Sequence, residues 1–244
     1  MIKQVGRVAE LVRYPVKSMA GIAASSAVLG WHGLAGDRRF ALRRVRDNGG
    51  FPWLSASSLP ELILYRPCGL DETSGEPLPT HVRTPSGEEL PLGAPELLQE
   101  LSSRLGSELE LMRMKHGVFD DAAVSVISRT TIAGVGRAAG IELDRRRFRA
   151  NILIEAEAQE TFHEDAWVGG RLIFGEGEPR ACVAVIARDL RCMMINLDPN
   201  TAAQDARVMK AAVQLNQNCA GVYGTVVGVG TIRVGDPVSL ISDL

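Results

Sequence analysis

Apolar and polar positions along this chain alternate over short distances and seldom recur at helical spacing, a rhythm that predicts a protein built mostly of strands. "VGRVAELVRYPV" alternates loosely and is rich in β-branched residues until Pro15 closes or kinks it. Charged and apolar residues alternate at period two from Arg39 to Val45, and the "DNGG" that follows supplies a hairpin turn. "HVRTPSGEELPL" reads as a second hairpin with Pro85 and Gly87 in its turn. "APELLQELSSRLG" is a short amphipathic helix, with Pro95 near its start and Gly106 just past its end, and "SELELMRM" continues as a strand.

The second half repeats the mixture. "AVSVIS" is a strand, and Ser128 can cap a helix over "RTTIAGVGRAAG", although its glycines disfavour helix. "NILIE" and "RLIFG" are short strands, and "ACVAVIARDLRCMMINL" is a long, largely apolar strand region. "DARVMKAAVQL" has helical spacing at Val208, Ala212 and Leu215. "GVYGTVVGVGTIRVGDPVSLI" reads as glycine-punctuated strands joined at "RVGDPV" by a tight turn. Many short strands with few helices predict a mainly β (α+β) protein, a β-barrel core with peripheral helices. "CGLDETSGEPLPT", the stretch richest in Pro, Gly and Ser, is expected to be a surface loop rather than a linker.

Composition narrows the class. With 244 residues, 45% of them hydrophobic and 23% charged, the chain can bury one large core or two intimate smaller ones. A formal net charge of −2 gives no global attraction to nucleic acid or to an anionic membrane. No apolar run approaches the roughly 18 to 20 residues of a membrane span. The opening residues have no apolar core of the secretory type, so the cytoplasm is the expected compartment. Cysteines at 68, 182, 192 and 219 form no C-x2-C pair and no plant-type iron-sulfur spacing, and the four histidines form no H-x3-H pair. A disulfide scaffold, a zinc ribbon, an iron-sulfur cluster and a histidine metal cage are therefore not expected.

Positive charge is bunched, in "GDRRF", "RRVR" and "DRRRFRAN". Each cluster alone reads as a solvated face, whereas three together suit an anion-binding groove, because arginine stays ionised and binds phosphate bidentately. An extended "RRRFRAN" places Arg147 and Arg149 on one face and Phe148 on the other. "YPVKSM" adds Lys17 and Ser18 after a proline. A small phosphorylated ligand fits such a pocket better than nucleic acid does. Cys192, between Arg191 and two methionines, is open to two readings: a packed small hydrophobe, or a thiolate beside positive charge that binds a soft metal or acts as a nucleophile.

Several of these motifs together resemble one family. "YPVKSM" and "GLAGDRRFAL" are similar to the N-terminal β-barrel of MOSC-domain proteins. "FDDAAVSVIS", "RRFRANILIE", F-x-E-D-x-W-V-G and R-C-x4-L-D-P-x-T are similar to the MOSC domain itself, the module at the C-terminus of molybdenum cofactor sulfurase. Their order resembles the mitochondrial amidoxime-reducing components and their bacterial relatives, over nearly the whole chain. The resemblance implies a MOSC-type barrel over 96–244, preceded by a β-barrel-like N-terminal region over 1–95.

It further implies that the molybdenum cofactor (molybdopterin with molybdenum) is bound, with Cys192 as the protein ligand to the metal and as the catalytic residue. Pterin and phosphate contacts carry over to Lys17, Ser18, Arg38, Asp121, Ala122, Ala123, Arg149 and Asn151, with Arg191 beside the thiolate. Leu190 stands where the amidoxime reducers carry serine, and Ala123 and Val124 stand where relatives carry proline or serine.

The implied activity is reduction of small N-hydroxylated compounds such as amidoximes and hydroxylamines. Some bacterial relatives carry a ferredoxin domain, whereas this sequence runs to "SLISDL" without the necessary cysteines. With no iron-sulfur cluster of its own and no dinucleotide fingerprint, the chain is expected to draw electrons from a separate ferredoxin or flavin reductase. Two other roles use the same residues. One is a sulfur carrier with a persulfide on Cys192, as proposed for MOSC modules fused to a pyridoxal-phosphate desulfurase domain, for which this chain is too short. The other is a non-catalytic cofactor carrier.

Overall fold

The computed structural model describes residues 1–242. A long strand, β1 (Ile2–Arg13), is followed by β2 (Ile22–Ala24), β3 (Ser26–Gly30), β4 (Gly33–Leu34) and β5 (Phe40–Arg44). Next come β6 (Arg66–Cys68), β7 (His81–Arg83), β8 (Glu89–Pro91), helix α1 (Pro95–Leu105) and β9 (Leu109–Arg113). The second half contains β10 (Val124–Ser128), α2 (Arg129–Ala139), β11 (Ile152–Ala156), β12 (Arg171–Phe174), β13 (Ala181–Leu190), α3 (Ala206–Asn216), β14 (Cys219–Gly228), β15 (Gly230–Arg233) and β16 (Pro237–Ile241).

The fold is mainly β, with its helices at the periphery. Strands β11, β10, β14, β13, β12, β16 and β1 hydrogen-bond in that order, and β1 pairs back onto β11, which closes a barrel. Only β10–β11 is parallel, and helix α2 makes that crossover. The barrel interior is filled by alternate residues of its strands, among them Val8, Val124, Val126, Ile152, Ile154, Leu172, Val183 and Val222. Residues of opposite parity, such as Ile127 and Leu153, face outward and pack beneath α2 and α3 with Val135, Phe148 and Val208. A third core belongs to the first half of the chain, where Val16, Met19, Leu42, Leu62, Tyr65, Leu97 and Leu101 meet Leu197 from the second half. Among the described residues no helix is long and apolar enough to cross a membrane.

Local signals in the sequence explain most elements. Helix α1 begins at Pro95, and Gly106 ends it in the left-handed conformation. The Ser128 side chain accepts a hydrogen bond from the Thr131 amide and starts α2. Gly134 sits inside that helix because a Cβ there would lie 2.3 Å from Thr161.

Three expectations are corrected. The alternation from Arg39 to Val45 fails, since Phe40, Ala41 and Leu42 are all buried. The regular partner of β5 is β9, although the chain after "DNGG" does turn back along β5 through the Arg43–Trp53 bridge and the Arg44-to-Pro52 and Leu54-to-Leu42 backbone hydrogen bonds. Residues 145–149 are not extended: Arg145–Phe148 form a 3-10 turn capped by Asp144, with Arg149 left-handed behind it. Nor does the apolar stretch from 181 remain a strand, because β13 stops at Leu190 and Met193–Asn196 form another 3-10 turn.

Candidate functional site

The end of β13 positions the sulfur. Its pairing with β14 slips at three places, the last between Arg188 and Leu190, and such bulges re-aim side chains. Beyond the last slip the chain alternates cleanly: Asp189 and Arg191 are buried, Leu190 and Cys192 exposed. Arg191 anchors the segment. Its Nη1 donates to the Phe148 carbonyl at 2.6 Å, its Nε donates to the Ala220 carbonyl at 2.7 Å, and its Nη2 lies 2.8 Å from Asp189. Space for that guanidinium comes from Gly221, at φ +86, where a Cβ would stand 2.6 Å from the Val126 carbonyl and 3.1 Å from Arg191 Nη2. The charge of Arg191 is thus engaged by Asp189 and two carbonyls, so its part is to hold the backbone that carries Cys192.

Cys192 opens onto a cavity of about 400 Å³, within the range of small-molecule sites. Lys17, Ser18, Arg38, Asp121, Arg149 and Arg191 line it with the cysteine, although they come from five separate stretches of sequence. Lys17 and Ser18 are both buried, and the Lys17 ammonium donates to Asp120 at 2.6 Å. Arg38 donates to the buried Asp37 at 2.5 Å, and Asp37 also accepts from the Tyr14 amide. Arg149 donates to the Met19 carbonyl at 2.7 Å and stacks 4.3 Å from the centre of the Tyr14 ring, over which Arg38 also lies.

The backbone here is strained in a consistent way. Ser18, Arg38 and Arg149 have φ of +66, +49 and +52. Left-handed backbone costs a residue with a side chain roughly 1–2 kcal/mol, and such conformations cluster at functional sites. Three of them around one cavity mark a site that the rest of the fold holds in shape.

Electrostatics separate the cavity's carboxylates. Burial pushes the Asp189 carboxyl up to about 6, against the pull of Arg191 and the Ser125 hydroxyl. Its Oδ2 accepts from Ser125 at 2.7 Å, and hydrogen bonding with the Tyr223 side chain also acts to lower the carboxyl's pKa. Burial also acts on Asp120, yet Lys17, with Arg38 and Arg149, outweighs it and holds that carboxyl below its ordinary value. Arg149 is lowered to about 10 by burial and by Arg38, and stays charged at neutral pH.

Three residues expected at the site do not line the cavity. Asn151 lies behind it, where its Oδ1 accepts from the Ser125 amide at 3.2 Å and from Arg38 at 3.4 Å, which aligns the arginine. Ala123 packs on the barrel core, its carbonyl close to Gly33, and Ala122 is likewise outside the lining. Asp120, Asp189, Ser125, Tyr223 and Phe51 do line it and were not anticipated, and Arg147, read from its cluster as an anion-facing arginine, lines it too. One signal was visible in the sequence: Asp189 is a charged residue inside an apolar strand region. Cys68, Cys182 and Cys219 lie away from this cavity.

The sequence profile of the MOSC domain matches residues 113–239, and that of the MOSC N-terminal beta barrel domain matches residues 5–90. No curated protein matches the chain. Among solved structures it is similar to the YUAD protein from Bacillus subtilis, at 14% identity over 100% of both chains with a TM-score of 0.54. YiiM from Geobacillus stearothermophilus shares 18% identity over 50% of this chain and 55% of that one, with a TM-score of 0.38.

Proposed function

Because this chain belongs to the MOSC family, we propose that it is a molybdenum-cofactor-binding oxidoreductase that reduces small N-hydroxylated compounds. The observation that carries the reading is a single cavity with an exposed thiol, Cys192, and the cations Lys17, Arg38 and Arg149 on its walls. A soft thiolate suits a high-valent thiophilic metal, and a buried ammonium with guanidinium groups suits a phosphate. Asp189 and Tyr223, together on the cavity wall, offer hydrogen-bonding groups to a heterocycle. No three His, Cys, Asp or Glu side chains gather into a metal-binding group among the described residues, so a metal on Cys192 draws its other ligands from a cofactor.

When bound, the molybdenum centre supplies two-electron chemistry that, with two protons, converts an N–OH group into N–H and water. The chain's own residues bind and orient. Cys192 holds the metal, Lys17, Ser18, Arg38 and Arg149 hold the phosphate, Asn151 aligns Arg38, and Arg191 fixes the backbone under the thiolate. Leu190, exposed beside Cys192, offers apolar surface to a substrate at the cavity mouth. Electrons come from a separate ferredoxin or flavin reductase.

The exposed Cys192 thiol also meets the first need of a sulfur carrier, access to a partner. Elemental and pterin analysis separates the two readings. Protein from cells that make the cofactor should contain molybdenum near one per chain and reduce a hydroxylamine with a chemical donor, but not with NADH alone. A metal-free chain carrying sulfane sulfur on Cys192 would favour the carrier and defeat the reductase.

A further inference from the structure

A second cavity, of about 370 Å³, shares Arg147, Arg149 and Met194 with the Cys192 cavity and no other lining residue. Its lining holds six arginines: Arg66, Arg83, Arg145, Arg146, Arg147 and Arg149. It includes no aspartate or glutamate. Carboxylates that pair with these arginines, such as Glu89 with Arg83, Asp144 with Arg146 and Asp198 with Arg147, all lie outside the lining. Arg66 has no ion pair among the described residues, and the buried Arg147 Nε has no hydrogen-bond partner.

The hairpin of β6 and β7 adds an unusual pairing. Arg66 and Arg83 are directly opposite each other in antiparallel register, so their side chains leave the same face. Like charges at such a position repel. Here the repelling pair faces a cavity lined by four more guanidinium groups. Between the arginines the lining is apolar, with Ile22, Ile63 and the Tyr14 ring. This arrangement places no acid inside the cavity and sets apolar side chains beside its guanidinium groups.

We propose that this cavity is a second anion-binding site, which takes a small phosphate-bearing ligand with an apolar body and is set apart from the Cys192 cavity by Arg66, Arg83, Arg145 and Arg146. Arginines hold phosphate oxygens bidentately, and a dianion set against the opposed Arg66 and Arg83 relieves their repulsion. The assignment does not depend on what Cys192 holds.

Isothermal calorimetry on the full chain tests it with phenyl phosphate, inorganic phosphate and benzyl alcohol as probes, and cofactor content is measured in the same samples. Phenyl phosphate should bind, inorganic phosphate more weakly, and benzyl alcohol not measurably. Arg66→Gln combined with Arg83→Gln, both at exposed positions, should weaken phenyl phosphate by about tenfold or more, as expected for lost charge-assisted contacts. Arg104→Gln, at an exposed arginine outside both cavities, should leave that affinity unchanged. Three results overturn the proposal: no binding of phenyl phosphate to the wild type, benzyl alcohol binding as tightly, or affinity that survives the double arginine variant.

Discussion

Arg147 and Arg149 stand between two cavities of nearly equal volume, about 400 and 370 Å³. On the Cys192 side three cations have a carboxylate in or beneath the lining: Lys17 has Asp120, Arg38 has Asp37, Arg191 has Asp189, while Arg149 rests on the Met19 carbonyl and the Tyr14 ring. The left-handed Ser18, Arg38 and Arg149 hold those groups in fixed positions. On the other side six arginines converge with no acid among them. The difference separates preorganisation from accumulation. The first cavity spends backbone strain and buried ion pairs on geometry, as a site must when it presents a sulfur, a carboxyl and a phosphate grip to one ligand. The second concentrates guanidinium groups whose carboxylate partners, Glu89, Glu10, Asp144 and Asp198, stand outside the lining, and it leaves Arg66 without one among the described residues.

The comparison is tested most severely at Cys192. Cys192→Ser should reduce turnover to background and remove bound molybdenum while the thermal melt is retained, because the exposed sulfur contributes little packing. Cys182→Ala, on a half-buried cysteine whose thiol burial pushes up, should keep both metal and turnover. Full metal and full turnover in Cys192→Ser would mean that the thiolate is not the ligand.

Asp189 tests the cost of preorganisation. Its carboxyl is raised from 3.8 to about 6, so the native state binds its proton more tightly than the unfolded chain does. The associated stability is complete below pH 4 and is lost as pH rises through 6. The loss is on the order of 3 kcal/mol, from about two pH units at roughly 1.4 kcal/mol each. Urea midpoints of the wild type should include this decline. Asp189→Asn should flatten it, while also lowering stability at neutral pH because Arg191 loses its partner. An unchanged pH slope in the variant would show that Asp189 does not titrate in this range.

Lys17→Ala should lower cofactor occupancy by about tenfold, the loss of one charge-assisted contact. It spares the fold, since the Asp120 side chain is 61% exposed and can be solvated. Occupancy measured by pterin analysis decides this. In contrast, Arg149→Ala should disturb both cavities and lower the melting temperature, because the Met19 carbonyl and the Tyr14 ring lose their partner. The smallest effect has the opposite sign. Arg66→Gln should raise the unfolding free energy of the ligand-free chain, read from urea titrations, by roughly 0.2–1 kcal/mol through relief of its cross-strand repulsion. A drop in stability would mean that the arginine pair is held by contacts instead of opposed by charge.

What could be read from the chain follows the range of the forces involved. Caps and turns are local, so Ser128, Pro95 with Gly106, and the Pro85–Gly87 hairpin were legible before any fold was known. Glycines in α2 argued against helix locally and are explained only by Thr161, which lies outside that helix. Lys17, Arg38, Arg149 and Cys192 could be gathered by motif order, but their geometry could not. That Asp120 and not Asp121 grips Lys17, and that Arg149 turns left-handed behind a 3-10 turn, depend on contacts across the seam between the barrel and the first half of the chain. The extended reading of 145–149 failed because Asp144 caps that turn, a side-chain contact that competes with the strand.

Strand β1 has a consequence for biosynthesis. Ile2 pairs with Ile241, and the same strand pairs with β11 through Leu11 and Ile152, so one element seals the barrel against partners made much later. Closure joins residues separated by most of the chain, and such contact order slows folding. As the polypeptide leaves the ribosome, β1 has only the short β2 at its end for a partner and stays open to wrong pairings along the rest of its length until β11 and β16 arrive. A nascent chain stalled before β16 should therefore be a client of chaperones, and release of those last strands should be the event that frees it.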